Sequence, residues 1–368
     1  MKIIQILPEL HAGGVERGTL ELAAFLVAEG HEAIVISNGG RLVAELEQSG
    51  ARHITLPVHR KSLASLWQVR RLRRILTEEG ADILHLRSRV PGWLAWLAWR
   101  GMNPRTRPRL VSTVHGFYSV NAYSAVMTRG ERVIAVSEST RSYVLENYPK
   151  VSDQIIRVIP RGIRPEHHGV DYRPAEAWLA HWQAERPELA GKWVLLLPGR
   201  ITRLKGHEEF FELIAALKAE GQSVHGLVAG DTHPKKRAYL DELHAVVQRL
   251  GIRSEVDFLG HRQDLREVMA VSDLVCGLSR QPEAFGRTVL EALALGKPVL
   301  GYDCGGVGEL LARIFPAGRV PLGDREKLLD RARAILAECP RPMPVGAPFT
   351  LDAMCRSTLN VYQELWSV

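Results

Sequence analysis

Two carboxylates eight positions apart, Glu283 and Glu291, bracket a loop and the start of an apolar helical run within residues 279–310. A loop running into a helix across Ala284, Phe285, Gly286, Arg287 and Thr288 presents unpaired backbone N–H groups and the positive end of a helix dipole. That chemistry suits a phosphate. Glu291, about two turns into that helix, can accept two hydrogen bonds from vicinal hydroxyls such as a ribose diol. The bland alternative is a charge at a helix start and a solvated turn. Arg200 and Lys205 stand five apart across a second strand-to-helix loop, where their charges can converge on a diphosphate. Gly13-Gly14 after the first apolar run forms a third loop in which backbone can approach a phosphate. His115 ends another strand. If that strand is parallel, its C-terminal end faces the crevice where such folds bind ligands. No D-x-D pair offers a divalent-metal site, and no residue reads as a covalent nucleophile.

The elements that must position these groups alternate regularly. Apolar runs at 2–7, 31–37, 53–56, 82–86, 109–114 and 132–136 read as strands. Helical patterns lie between them, at 41–49, 62–79 and after Pro91-Gly92 among others. A polar stretch at 167–189 containing Pro174 and Pro187 reads as a linker with one amphipathic segment. Beyond it come strands at 193–197, 224–229, 256–260, 274–278 and 298–302, with helices between them, a Gly305-Gly306 turn and an amphipathic helix at 351–366. Repeated β-then-α predicts doubly wound parallel sheets, and 368 residues is long for one core.

Charge is distributed unevenly. Residues 1–165 hold 23 Lys/Arg against 14 Asp/Glu, a net of +9, while the remainder carries −2 of the overall +7. Arg70, Arg71, Arg73 and Arg74 share one expected helix with Trp67. A solvated helix face explains them simply; an anionic membrane surface or anionic acceptor is the alternative. Nucleic acid is disfavoured, because no helix-turn-helix, zinc or RNP-type pattern accompanies the charge. Tryptophans at 93, 96 and 99 read as core packing ahead of a lipid anchor. No apolar run of membrane-spanning length is present, and Cys276, Cys304, Cys339 and Cys355 have no C-x-x-C spacing. The expectation is a cytoplasmic protein, with the inner face of the cytoplasmic membrane as a second place for it.

The segment 283–309, E-A-F-G-R-T-V-L-E-A-L-A-L-G-K-P-V followed by G-G-V-G-E, resembles the donor-binding stretch of the retaining family-4 glycosyltransferases. Ala284 stands where glycine is commoner, and Gly308 where proline is commoner. G-G-V-E at 13–16, T-V-H at 113–115, I-P-R-G-I at 159–163 and G-R-I-T-R-L-K-G at 199–206 resemble further family motifs in the family's order. In the fourth of these, Arg161 replaces the usual asparagine and Arg164 the usual aspartate.

The resemblance implies a GT-B fold. It would comprise an acceptor-side Rossmann-like domain at 1–165, a nucleotide-sugar-binding one at 166–350 and a helix at 351–368 returning to the first. It implies retaining transfer from a nucleoside diphosphate sugar to an acceptor hydroxyl, without a metal or other cofactor. Uridine diphosphate sugars are the commonest family donors, and guanosine diphosphate mannose is the alternative. The acceptor would be a glycan, glycolipid or lipid-linked sugar, lipopolysaccharide core among them. Under the resemblance Arg200 and Lys205 clamp the diphosphate, His115 lies against the donor sugar and Glu283 contacts its hydroxyls. Gly13, Gly14 and residues 284–288 approach the phosphates, Glu291 holds the ribose and the loop at Arg262 holds the base. Rival readings are an epimerase or phosphorylase on the same fold, a donor-binding protein lacking transfer, and an anion-binding module.

Overall fold

Short Ile-, Val- and Leu-rich runs become parallel strands, and the amphipathic stretches between them become crossover helices. The computed structural model describes residues 1–11, 13–232 and 237–367. These divide into an N-terminal unit, Met1–Gly162 with Ala347–Val368, and a C-terminal unit, Ile163–Gly346.

The N-terminal unit holds seven strands: β1 (Lys2–Ile6), β2 (Glu32–Ser37), β3 (Arg52–Thr55), β4 (Ile83–Leu86), β5 (Arg109–Val114), β6 (Arg132–Ala135) and β7 (Ile156–Val158). They are parallel in the order β3-β2-β1-β4-β5-β6-β7. Its helices are α1 (Gly14–Ala28), α2 (Val43–Gln48), α3 (Trp67–Glu79), α4 (Arg89–Arg100) and α5 (Glu138–Asn147). Strand order reverses between β1 and β4, so the C-terminal ends of these two strands flank the switch point where such sheets take ligands.

The C-terminal unit repeats the plan with β8 (Trp193–Pro198), β9 (Val224–Ala229), β10 (Val256–Gly260), β11 (Leu274–Gly277), β12 (Val299–Tyr302) and β13 (Arg319–Val320). Their order is β10-β9-β8-β11-β12-β13, again parallel, with the reversal between β8 and β11. Its helices are α6 (Glu176–Glu185), α7 (His207–Ala219), α8 (Arg237–Arg249), α9 (Leu265–Val271), α10 (Arg287–Ala294), α11 (Gly305–Ile314) and α12 (Arg325–Glu338). A last helix, α13 (Leu351–Trp366), belongs to the N-terminal unit and packs against α1.

Three elements differ from expectation. The helix expected at 62–79 starts as a 3-10 turn, Leu63–Leu66, because the Ser65 hydroxyl bonds the Arg60 carbonyl (2.8 Å) and Ser62 Oγ (3.0 Å). The Gly305-Gly306 turn is the first turn of α11, with Cys304 as its N-cap. Glu291 lies little more than one turn into α10, because Gly286 (φ 91°) ends the preceding loop late. The three tryptophans pack on the sheet as expected. Trp99 is buried and donates to the Pro108 carbonyl (2.7 Å), and Trp93 donates to the Tyr123 carbonyl (2.7 Å).

Alternation along β1, β4 and β5 builds two different faces in the N-terminal unit. Ile4, Ile6, Leu84, Leu86, Leu110 and Val114 join one wholly apolar core. The opposite face, under α1 and α13, begins with Ile3, Ile83 and Val111 and then turns polar at Gln5, His85 and Thr113. His85 bridges Tyr362 Oη of α13 (Nδ1, 2.7 Å) and Thr113 Oγ1 (Nε2, 2.6 Å). Burial, then Arg87 and Arg161, hold this imidazole well below its ordinary pKa, so it is neutral. Tyr362→Phe would strand a buried ring nitrogen and should lower stability by about 1–3 kcal/mol in urea unfolding. A loss under about 0.5 kcal/mol would mean that this hydrogen bond does not tie α13 down.

Candidate active site

In the C-terminal unit the loops after β8 and β11 meet at the switch point. Gly199 donates to the Ala229 carbonyl (2.9 Å) and Ile201 to that of Asp231 (3.0 Å), which fastens the β8 loop to the β9 loop. No side chain fits at Gly230, where a Cβ would lie 1.8 Å from the Gly199 oxygen. The Arg280 N–H donates to the Leu204 carbonyl (2.8 Å), and the Arg280 guanidinium reaches Glu209 (2.5 Å) and Glu208 (3.4 Å) in the first turn of α7. The β11 loop is thus pinned beside the β8 loop.

That pinning brings Lys205 Nζ to 2.6 Å from Glu283 Oε1, and the Ser279 hydroxyl donates to the same oxygen. Glu283 is fixed from its backbone as well. It pairs with Gly305, and its carbonyl accepts from Gly306 N–H (2.8 Å). Arg200 is exposed at the end of β8. Gly286 caps α10 without any side-chain cap, so residues 286–288 keep backbone N–H groups at the helix start. Phe285 is buried, and Glu291 holds Arg287 Nε at 3.0 Å. The structure therefore gathers Arg200, Lys205, Glu283 and residues 284–288 about one switch point. Burial, with Glu283 and Asp303 nearby, pushes the Cys304 thiol up, which keeps it protonated and poorly nucleophilic.

Arg262 follows β10, two strands away. Both its Nε (2.8 Å) and Nη2 (2.5 Å) donate to Asp264, and it lies over the Trp182 ring, which stacks on Trp178. Glu188, His225 and Asp257 come within metal-ligand spacing, yet Arg186 is 3.2 Å from Asp257 and His225 Nε2 is 3.1 Å from it. Those contacts read as a salt-bridged group.

In the N-terminal unit Gly13 (φ 139°) caps α1, Gly14 opens it, and the Glu16 carboxylate folds back over Gly13. His115 lies just past β5, half-buried, with Arg161 Nη2 at 2.9 Å from Nδ1. A guanidinium only donates, so Nδ1 accepts. Burial first, then Arg161, Arg87 and His85, depress this imidazole well below its ordinary pKa. The neutral ring therefore carries its proton on Nε2, which has no partner among the described residues. His115 is a hydrogen-bond donor held in one tautomer. Sequence reasoning missed that Arg161 sets this state, and missed Ser279, Arg280 and Gly230 altogether. The only signal was the departure from asparagine at 161.

Two family models cover the chain in succession, Glycosyltransferase Family 4 over residues 12–167 and Glycosyl transferases group 1 over 181–338. The chain belongs to the family-4 glycosyltransferases. A glycosyltransferase from Rickettsia africae ESF-5 superimposes with a TM-score of 0.85 at 27% identity, over 99% of this chain and 98% of that one. Anabaena Alr3699/HepE, solved in complex with UDP-glucose, gives 0.77 at 20% identity over 100% and 98%. The α-D-kanosaminyltransferase of Streptomyces kanamyceticus is 27% identical over 203 residues, 50% of this chain and 51% of that protein. The match thus spans about half the length of that curated relative. This glycosyltransferase has the GT-B fold, as its two parallel-sheet units and these neighbours show.

Proposed function

We propose that this glycosyltransferase moves a sugar from a nucleoside diphosphate sugar, a uridine diphosphate sugar first among the candidates, to a hydroxyl of a glycan or glycolipid, with retention and without a metal. The observation that carries the reading is Lys205 Nζ on Glu283 beside Arg200 and the start of α10, all in one unit. In the reaction the bond from the anomeric carbon to the diphosphate breaks, and the acceptor oxygen bonds to the same face of that carbon. The acceptor's proton passes to the departing phosphate oxygen. Negative charge grows on the leaving group, so fixed cations and helix N–H groups there lower the barrier. Glu283 would orient sugar hydroxyls, Glu291 the ribose, and neutral His115 would donate from Nε2. The UDP-glucose complex of the Anabaena neighbour supports the choice of donor.

The test is a thermal-shift panel of UDP, GDP and ADP and their common sugars, with EDTA and with Mg²⁺. A ligand at 100 times its dissociation constant adds about 2.7 kcal/mol of stability. The expected result is one responding nucleotide, indifferent to EDTA, with the response lost in Glu291→Ala. A GDP response would point to a mannosyl donor. Binding without product would favour a donor-binding protein, and no response at all would sink the reading. Anomeric NMR of the product decides retention.

A membrane-surface role is a separate proposal, supported by α3. Trp67 is 70% exposed and Leu66 50%, and Arg70, Arg71, Arg73 and Arg74 are exposed beside them, while Leu72 and Leu76 face the core. No helix among the described residues is long and apolar enough to cross a membrane. Anionic liposomes should retain the wild-type protein and release a variant with all four arginines changed to Glu. Equal retention would refute the role.

A further inference from the structure

The polar face of the N-terminal sheet ends in cations that the transfer chemistry above does not use. Following Ile83 and His85 on alternate positions of β4, Arg87 is 3% exposed at the end of the strand, beside the β1–β4 reversal. Its Nε and Nη2 have no hydrogen-bond partner. Leaving such groups unpaired in a buried site is costly, and a guanidinium in this position ordinarily meets an anion. The carboxylate acting on it through space is Glu21 of α1, which forms no printed contact with it and ranks behind the neutral Tyr362 and Cys355.

Arg161 extends the cluster. A Cβ on Gly18 would lie 2.7 Å from Arg161 Nη1 and 3.5 Å from Arg87 Nη2, so both guanidinium groups crowd the same small residue of α1. The glycine leaves room for them. Arg161 also holds His115, whose Nε2–H is unpaired. Two guanidinium forks and one ring N–H thus meet within a single unit. Planar forks of this kind match the oxygens of a phosphate or carboxylate.

We infer that Arg87, Arg161 and His115 form an oxyanion subsite of the N-terminal unit, which holds a phosphate or carboxylate substituent of the acceptor. The inference rests on reading this unit as the acceptor side. The C-terminal unit has its own cations for the donor diphosphate, Arg200 and Lys205. The acceptor class is then an acidic or phosphorylated sugar rather than a neutral one.

The test uses the full chain and inorganic phosphate as probe, titrated calorimetrically with and without saturating UDP. Phosphate should bind wild type equally well in both conditions. Arg161→Asn, which changes a half-exposed residue, should weaken phosphate at least tenfold while UDP affinity stays within threefold. Arg87→Met should do the same if it folds; Arg161→Asn carries the test if it does not. Unchanged phosphate affinity in Arg161→Asn overturns the subsite. So does phosphate binding abolished by UDP, which would give these arginines to the donor diphosphate. Phosphate binding that depends on Arg161 in a protein indifferent to every nucleotide would support the subsite while sinking the donor reading.

Discussion

Lys205→Ala is expected to lower kcat by roughly 100- to 1000-fold, the loss that follows removal of one fixed group facing developing charge. Lys205 Nζ lies on Glu283 at 2.6 Å in the loop between β8 and α7, so its ammonium is already placed before any donor arrives. Its attraction grows as the diphosphate departs, and an interaction stronger in the transition state appears in kcat more than in KM. Both side chains of the pair are partly solvated, so folding should change little. Lys205→Arg keeps the charge with another shape and should recover part of the rate. The measurement is steady-state transfer with the nucleotide sugar chosen by the binding panel, beside a melting curve. A kcat within threefold of wild type would remove Lys205 from the transition state.

Gly206→Ala should cost at least about 3 kcal/mol, more than almost any surface substitution. Gly206 caps α7 at φ 72°, a conformation that costs a residue with a Cβ about 1–2 kcal/mol. Its Cβ would also stand 2.1 Å from the Leu278 carbonyl oxygen, a backbone atom that cannot swing away. Gly221 separates the two contributions. It has nearly the same φ, 78°, with nothing within 4 Å of a new Cβ. Gly221→Ala should therefore show the conformational cost alone. Equal losses in thermal unfolding would mean that the β11 loop yields freely and that the close approach is unimportant. A larger loss at 206, with weakened nucleotide binding, would show that glycine is required where the two phosphate-facing loops touch.

That glycine illustrates what could be read from sequence. The loops near Arg200, Lys205 and residues 283–291 were legible because each needs a local pattern, an apolar run followed by small residues and a helix. The alternation of the two sheets was legible for the same reason. Why Gly206 and Gly230 must be glycine was not, since the atoms that exclude a side chain come from Leu278 and Gly199. Long-range pairs were likewise hidden. His85 meets Tyr362 across 277 positions, and Arg161 meets His115 across 46. Period-two alternation did place His85 and Arg87 on one face, and Thr113 and His115 on another strand's equivalent face. Nothing local says that both faces turn from apolar to charged beneath α1 and α13. Arg280 was invisible for a similar reason. Its carboxylate partners lie about 70 positions earlier, in α7.

The N-terminal unit is interrupted in the chain, and this orders its assembly. Met354, Cys355, Leu359, Val361, Tyr362 and Leu365 of α13 share a core with Ile3, Leu7, Leu22 and Val111. On a ribosome those six residues emerge only after all of Ile163–Gly346 has been made. The second unit to be translated can therefore close before the first is finished. Until then the sheet that carries His85 and Arg87 shows an apolar strip to the cytosol and to holdase chaperones. A nascent chain stalled before residue 351 should be bound by chaperones through its earliest-made half, even with its later half already folded.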